Sequence, residues 1–440
     1  MQEIKIQFTD KEITPWGGML LLKNMLETTK FCSVIESCSA IPQPGSNRGY
    51  KPYTIVESFI TSVWCGANRF IHTEVTRHDK VLTELFGWRP APGQDTYKRF
   101  FSKFTQTKNN EVFFYLYNWF FSNLQFDNLT IDFDSTILTR YGEQEGAKRG
   151  YNPQKPGRSS HHPLMAFIDD IMMVANFWLR SGDSYTSNNF SDFLEETLNR
   201  LGEKNVSLLR LDSGFYDKLV FNILEEKSIS YIVSAKFYEP IQKVIAKQRT
   251  WLKLEEGVEV AETMYHSPQW DSPRRMIMVR QFLPERPKAT GKVLRLFEDE
   301  FEYKRYRYSC YITNMNLSAS DVWRLYRRRA NAENRIKELK YDFGFDSFNM
   351  HNFWGTEAAL NFVMLAYNLM SLFRQFIVNS KTQERLSTLR FKVFAIGAYL
   401  IKDGRNVVLK LSLALKRREW FTGIWNSSKK FTLPVHFSNA

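Results

Sequence analysis

Along NLTIDFDST (128–136) Ile131 and Phe133 alternate with Asp132 and Asp134, the two-residue period of a strand. Two more strand-like runs follow, HPLMAFID (162–169) and IMMVANFWLR (171–180). The apolar period then lengthens through FSDFLEETLNRL, which predicts a helix entered near Ser187. VSLLRLDSGF (206–215) reads as a strand, DKLVFNILEEK (217–227) as a helix and ISYIVSAKF (229–237) as a strand. Three meandering strands followed by strands joined through helical crossovers predict a mixed sheet with helices on its faces.

The flanks have a different texture. Helical patterns cover 18–38, 53–88 and 95–124, separated by the Pro- and Gly-rich loop IPQPGSNRGYKP (41–52), so residues 1–125 read as a helical N-terminal region. After 237, TWLKLEEGVEVAETMYHSPQW, RRMIMVRQFL and YKRYRYSCYITN predict a β-rich insertion over 238–316. A helix then opens at the Ser-Ala-Ser-Asp of 318–321, an N-cap pattern. The expected organisation is a catalytic core over 126–237 and 317–378, with a C-terminal helical region over 379–440. The strand and helix order of the core is that of an α/β, ribonuclease-H-like fold. There the first and fourth strands are neighbours, so Asp134 and Asp212, each ending one of them, would meet at one edge of the sheet.

Charge narrows the class of partner. Lys and Arg number 60 against 47 Asp and Glu, a formal +13, which favours a polyanion such as nucleic acid. The four cysteines, Cys32, Cys38, Cys65 and Cys310, form no C-x-x-C pair and read as reduced core thiols. The most apolar run, AALNFVMLAYNLMSLFRQFIV (358–378), contains Asn361, Asn368 and Arg374, and fits a buried helix better than a membrane span. No membrane partner is expected, and the N-terminus is too charged for a signal peptide, so a cytoplasmic location is expected.

The segment YRRRANAENRIKELK (326–340) is strongly cationic yet holds Glu333. With roughly 100° per residue on a helix, Tyr326, Arg329, Glu333 and Lys340 fall within an arc of about 60°. Leu325, Ala332, Ile336, Leu339 and Phe343 form a neighbouring apolar stripe for the core, and Arg327, Arg328 and Arg335 are expected to face solvent or an anion. Glu333 could simply pair with Lys337 at i,i+4. Together with the two strand aspartates it has a second use. Phosphodiester chemistry needs carboxylates that hold divalent ions, and basic neighbours hold the DNA backbone.

At these residues the chain resembles the bacterial insertion-sequence DDE transposases. Tyr326, Arg329, Glu333 and Lys340 match their Y-x2-R-x3-E-x6-K signature, IDFDST (131–136) their first-aspartate strand and RLDSGFYD (210–217) their second. YGEQEGAKRGYNP (141–153), the tail through AALNFVMLAYNL (333–369) and TLRFKVFAIGAYLIKDGR (388–405) also resemble blocks of the family. The resemblance implies Asp134, Asp212 and Glu333 as catalytic residues holding two Mg2+ ions, for which Mn2+ may substitute. It implies hydrolysis at transposon inverted-repeat ends, then attack of the freed 3′-hydroxyl on target DNA, and a homodimer in the synaptic complex of a bacterial, nucleoid-associated enzyme. Tyr326, Arg329 and Lys340 would contact end DNA, and the helical N-terminal region (1–125) would bind the inverted-repeat ends and help dimerise the protein. Asp132 shares a strand face with Asp134 and is the alternative first ligand; Asp134 is preferred because it precedes Ser-Thr and lies nearer the strand end. In some relatives a tryptophan of the insertion stacks on a flipped base, and Trp251 and Trp270 are the candidates, beside their reading as ordinary packed side chains.

Outside the signature, the loop 141–158 interleaves glycines with Lys148, Arg149, Lys155 and Arg158, which suits close approach to phosphates. It lacks GKS or GKT and is no P-loop. Asp169 and Asp170 read as structural, His161 and His162 as structural or DNA-contacting, and Ser213 has no triad partners. The competing readings are an end-binding regulator that no longer cleaves and a different ribonuclease-H-like nuclease.

Overall fold

The computed structural model describes residues 4–437 except 89, 127, 284–304 and 381. In the N-terminal region the expected helical stretches are each divided. Leu20–Thr28 and Phe31–Ser37 are separated by Lys30 in the left-handed region, at φ 54°. The 53–88 stretch begins as α1 (Pro52–Cys65), with Pro52 at its first position, and stops at Gly66, φ +112°, before the short helices Thr73–Arg77 and Lys80–Phe86. α2 (Gln94–Phe101) and α3 (Gln106–Ser122) follow, the latter capped by Thr105 accepting from Lys108 N.

The core strands are β1 (Asn128–Ser135), β2 (Leu164–Ile168), β3 (Met173–Trp178), β4 (Asn205–Leu211) and β5 (Ser230–Ser234). α4 (Phe190–Leu201) links β3 to β4, and α5 (Lys218–Glu226), capped by Asp217, links β4 to β5. The insertion contributes a helix at Glu239–Lys247, absent from the expectation, and β6 (Leu252–Glu255), β7 (Val258–Tyr265), β8 (Arg274–Phe282) and β9 (Tyr306–Thr313). Residues 284–304 of the expected insertion lie outside the described residues.

Among the described residues these strands form one nine-stranded sheet ordered β6-β7-β8-β9-β5-β4-β1-β2-β3. β2 lies antiparallel to β1, β4 parallel to β1, and β5 parallel to β4. The run β3-β2-β1-β4-β5 is the ribonuclease-H-like order. The insertion is no separate module, because β9 pairs antiparallel with β5 through Tyr311–Ser234 and its neighbours, continuing the same sheet.

The remaining chain supplies α6 (Ala319–Arg327), α7 (Ala330–Asp342) and α8 (Phe353–Leu372). Ser318 caps α6 by accepting from Asp321 N, as its sequence predicts. The single helix expected across 326–340 is corrected to two: the chain turns at Arg328–Arg329, where Arg329 N donates to Tyr326 O at 2.9 Å. The 379–440 region, expected to be helical, also carries a hairpin, Ala398–Asp403 against Asn406–Leu411, before its helix Leu415–Lys430. Two short β-branched and apolar runs, AYLIKD and NVVLKL, meet across the turn at Gly404 and pair antiparallel.

Burial follows the two-residue period of the strands. Leu209, Leu211, Tyr231 and Val233 belong to the main core, which also takes in the N-terminal helices and α8. Leu208 and Ile232, on the opposite face, pack with Val322 and Trp323 of α6. α8 is buried along most of its length, yet among the described residues no helix is long and apolar enough to cross a membrane. Trp64 of α1 donates from Nε1 to Ala366 O of α8 at 3.1 Å, so the N-terminal helices are locked to the core.

Glu357 of α8 is a buried carboxylate inside this packing. It accepts from Leu179 N at 3.0 Å and from Asn109 Nδ2 at 2.8 Å. Burial pushes its pKa up to about 7, against the lowering effect of those two donors. A raised carboxyl pKa stabilises the fold fully below about 4.5, and that contribution is lost as pH rises through about 7. Glu357→Gln is therefore expected to flatten the fall in melting temperature between about pH 5 and pH 8. An unchanged pH slope in the variant would remove Glu357 as its source.

Candidate active site

β1 and β4 run parallel in a register that pairs Asp132 with Arg210 and Phe133 with Leu211. The next residue on each strand is Asp134 and Asp212, so both carboxylates stand at the same level, on the same face, at the C-terminal ends of adjacent strands. That end of a parallel pair is where open α/β sheets place their ligands. Asp134 Oδ1 accepts from Ser135 N at 2.8 Å, and Asp212 Oδ1 accepts from Gly214 N at 2.8 Å. Glu333 lies in the first turn of α7, exposed, and lines the same cavity of about 1070 Å³ as Asp134 and Asp212. Its i,i+4 partner from the sequence, Lys337, makes no ion pair with it; Lys337 also lines the cavity.

Asp132 is held elsewhere. Arg210 donates to both its oxygens, at 2.6 and 2.8 Å, and both residues are 0% exposed. Arg210 also meets Asp169 at 2.9 Å and donates to Leu325 O at 2.7 Å. Asp169 in turn accepts from Arg335 of α7 at 2.6 Å. Arg335, expected to face outward, is therefore corrected to a buried residue: it ties α7 to the β2–β3 turn. This network carries charge through the sheet face directly behind the site and fixes the helix that bears Glu333. Burial alone would raise the Asp169 pKa, but Arg335 and Arg210 together hold it below the ordinary carboxylate value.

The three basic or phenolic signature residues turn inward as well. Arg329, 7% exposed, lies 3.1 Å from Asp134 Oδ1 and donates to Phe133 O at 3.2 Å. Lys340 Nζ donates to Thr136 Oγ1 at 2.7 Å and to Ile137 O at 3.1 Å, and burial lowers its pKa. Tyr326 donates from its hydroxyl to Leu211 O at 3.2 Å and packs on Tyr311, ring centroids 4.4 Å apart. Together they clamp α6 and α7 over the ends of β1 and β4. Arg329 and Lys340 still line the cavity; Tyr326 does not.

Burial pushes the Asp134 pKa up to about 6; Arg329 opposes the shift, while Asp212 and Glu333 add to it. The two acidic neighbours acting on Asp134 are thus the other two candidates. His162, whose own pKa burial lowers, faces Ser135 Oγ at 3.0 Å and Ser184 O at 2.8 Å, and so braces the end of β1. The sequence singled it out only as structural or DNA-contacting, with no spacing that ties it to the end of β1.

Other candidates do not reach the cavity. Trp270 is a packed core residue, 6% exposed, with its ring centroid 5.3 Å from Phe221 and 5.4 Å from Tyr265. Trp251 is partly buried, with Arg280 4.6 Å above its ring. Lys148 pairs with Asp183 at 3.1 Å, and Arg149 and Arg158 are exposed away from the cavity lining. From the 141–158 loop Tyr141, Gly142, Gln144, Gln154 and Lys155 line it, Lys155 being the cation among them. The loop is braced by short strands, Lys148–Arg149 and Leu138–Thr139 flanking Ser159–His161, and by Glu145, whose side chain accepts from Phe353 N at 2.9 Å.

Residues 1–430 match the sequence profile described as transposase DDE domain, group 1. The chain belongs to the DDE transposases. It is a DNA transposase, a metal-dependent DNA-cleaving enzyme whose family uses divalent ions. No curated protein is significantly similar to it in sequence. The cryo-EM structure of a piggyBac transposase synaptic complex with hairpin DNA aligns over 88% of this transposase and 82% of that chain, at 10% identity and a TM-score of 0.46.

The donor set suits a hard divalent cation, since all three candidate ligands offer carboxylate oxygen. The hydrogen bonds of Asp134 and Asp212 fall on Oδ1 of each, leaving Oδ2 without a hydrogen bond among the described residues. Among those residues no three His, Cys, Asp or Glu side chains are already gathered closely enough to hold an ion. Arg329 supplies the positive charge beside Asp134.

Proposed function

We propose that this transposase cleaves transposon ends with Asp134, Asp212 and Glu333 and transfers the freed 3′-hydroxyl ends into target DNA. One observation carries the reading: the parallel register that sets Asp134 beside Asp212 on the cavity that Glu333 also lines. Two Mg2+ ions, for which Mn2+ can substitute, would activate the attacking oxygen and stabilise the leaving oxygen when bound. Asp134 and Asp212 are the fixed ligands, anchored by turn backbone at the strand ends. Glu333 is the adaptable one, on an exposed helical turn. Arg329 offsets the charge of Asp134 and, with Lys340, sits where a phosphate entering the cavity would be met. Two subunits, each holding one end, would form the synaptic complex, acting on the nucleoid in a bacterial cytoplasm.

The test is incubation of purified protein with end DNA and Mg2+, wild type beside Asp212→Asn. Nicking by wild type alone supports the reading; binding without nicking by either points to an end-binding regulator. The same assay resolves pH. Asp134 must be ionised to hold a cation, so activity at limiting Mg2+ is expected to fall as pH drops through about 6. A tenfold rise in Mg2+ should move that midpoint down by up to about one pH unit, because cation and proton compete. The stability effect has the opposite sign: in the metal-free protein Asp134 stabilises the fold most below about 4, and the contribution is lost as pH rises through about 6. A midpoint insensitive to Mg2+ would exclude Asp134 as the titrating ligand.

A further inference from the structure

The cavity has a second wall that belongs to the N-terminal helices. Arg69, at the entry to the turn Phe70–His72, and Lys98, within α2, line it together with Asp134, Asp212 and Glu333. Both are exposed, and among the described residues neither forms an ion pair; the same holds for Lys337 on α7. In all, six Lys and Arg side chains line the cavity against four carboxylates, one of which, Asp134, already faces Arg329. An unpaired cationic surplus around a catalytic cleft is the footprint of a polyanion.

This wall is held rigidly to the catalytic helix. The Phe348 ring, in the segment after α7, lies 4.9 Å from Phe59 and 5.3 Å from Phe70, and Phe70 lies 5.9 Å from Phe101 of α2. Gly344, at φ +69°, ends α7 against Asn68: a Cβ there would stand 2.6 Å from Asn68 Cα. The residue next to Arg69 is thus pressed onto the turn that follows the Glu333 helix. Ile71, 52% exposed, and Tyr341, 73% exposed, also line the cavity and offer it apolar surface.

We propose that Arg69 and Lys98 form, with Lys337 opposite, a clamp on the backbone phosphates of the DNA strand entering the cleft of the same subunit, independent of base sequence. The proposal rests on the active-site reading given above, and its test is kept separate from cleavage. Anisotropy titrations of the full-length protein in EDTA would use two labelled duplexes, one carrying the element's end and one scrambled, over a range of salt. The Arg69→Ala/Lys98→Ala protein should weaken on both duplexes by the same factor. Its slope of log K against log salt should fall by about 1.8, or ~0.9 for each phosphate that is no longer neutralised. Arg69→Lys, which keeps the charge, should retain the wild-type slope and shows that the site tolerates substitution. An unchanged slope in the double variant, or weakening on the end duplex alone, would overturn the clamp. Wild-type cleavage in Mg2+ is read independently: its absence with the slope change intact would sink the catalytic assignment and leave the clamp standing.

Discussion

A Glu333→Gln transposase is expected to bind end DNA as wild type does in EDTA and to cleave it at least ~10³-fold more slowly in Mg2+, a loss of about 4 kcal/mol of transition-state stabilisation. Gln is isosteric, and Glu333 is exposed and makes no ion pair among the described residues, so the substitution removes ligand charge without disturbing the fold. The comparison that gives the result meaning is Glu338, the other carboxylate of the cationic segment 326–340. Glu338 is buried, paired with Arg374 and accepting from Leu386 N at 2.8 Å. Glu338→Gln should therefore lower stability, and cleavage only as far as folding is lost. Retained cleavage by Glu333→Gln, with Glu338→Gln inactive but folded, would transfer the third-ligand role and overturn the assignment.

Asp169→Ala is expected to be the most destabilising single change near the site, by about 3–5 kcal/mol, because it strands Arg335 as a buried charge and takes from Arg210 one of its two carboxylate partners, leaving Asp132 as the other. Both guanidiniums contact Asp169, at 2.9 and 2.6 Å. The neighbouring Asp170→Ala should cost far less: Asp170 accepts from Thr130 N at 2.8 Å, and its ion pair is with exposed Arg328 at 3.7 Å. Denaturant midpoints of the two variants, compared with wild type, measure the difference. A chain of this size need not unfold in one step, so the midpoint of the transition that includes α7 is the relevant one. Replacing Asp169 and Arg335 together by Leu and Met should recover part of the loss, since neither partner is then left charged and alone. Equal midpoints for Asp169→Ala and wild type would show that the network does not hold α7.

Much of this was readable in advance because it depends on local periodicity. The alternation of Ile131 and Phe133 with Asp132 and Asp134 predicted β1, and the order of strands and helices up to 237 predicted the core sheet. The stripe Ala332, Ile336, Leu339 and Phe343 is buried as its helical spacing requires. What failed was local in a different way. The helix spanning 326–340 breaks at Arg328–Arg329, where no Gly or Pro marks the turn; Arg329 there pairs with Asp134, while Trp323 packs beneath the first of the two helices. Helical geometry on an unbroken axis also sent Arg335 outward, whereas its partner Asp169 lies on the sheet turn beneath α7.

By itself the sequence determined which residue types could do the chemistry, which strands would carry two of the carboxylates, and that the surface would favour a polyanion. The sequence preferred Asp134 to Asp132 from its place near the strand end; the tertiary structure adds that Arg210, on the neighbouring strand, takes both oxygens of Asp132. Only packing buried Glu338 against Arg374 while leaving Glu333 on the cavity, and joined Arg69 and Lys98 to a cavity whose carboxylates lie far along the chain. The physical reason is the same in each case. Periodicity reports which way a side chain leaves its own backbone, while burial and charge pairing are set by what another element brings to meet it.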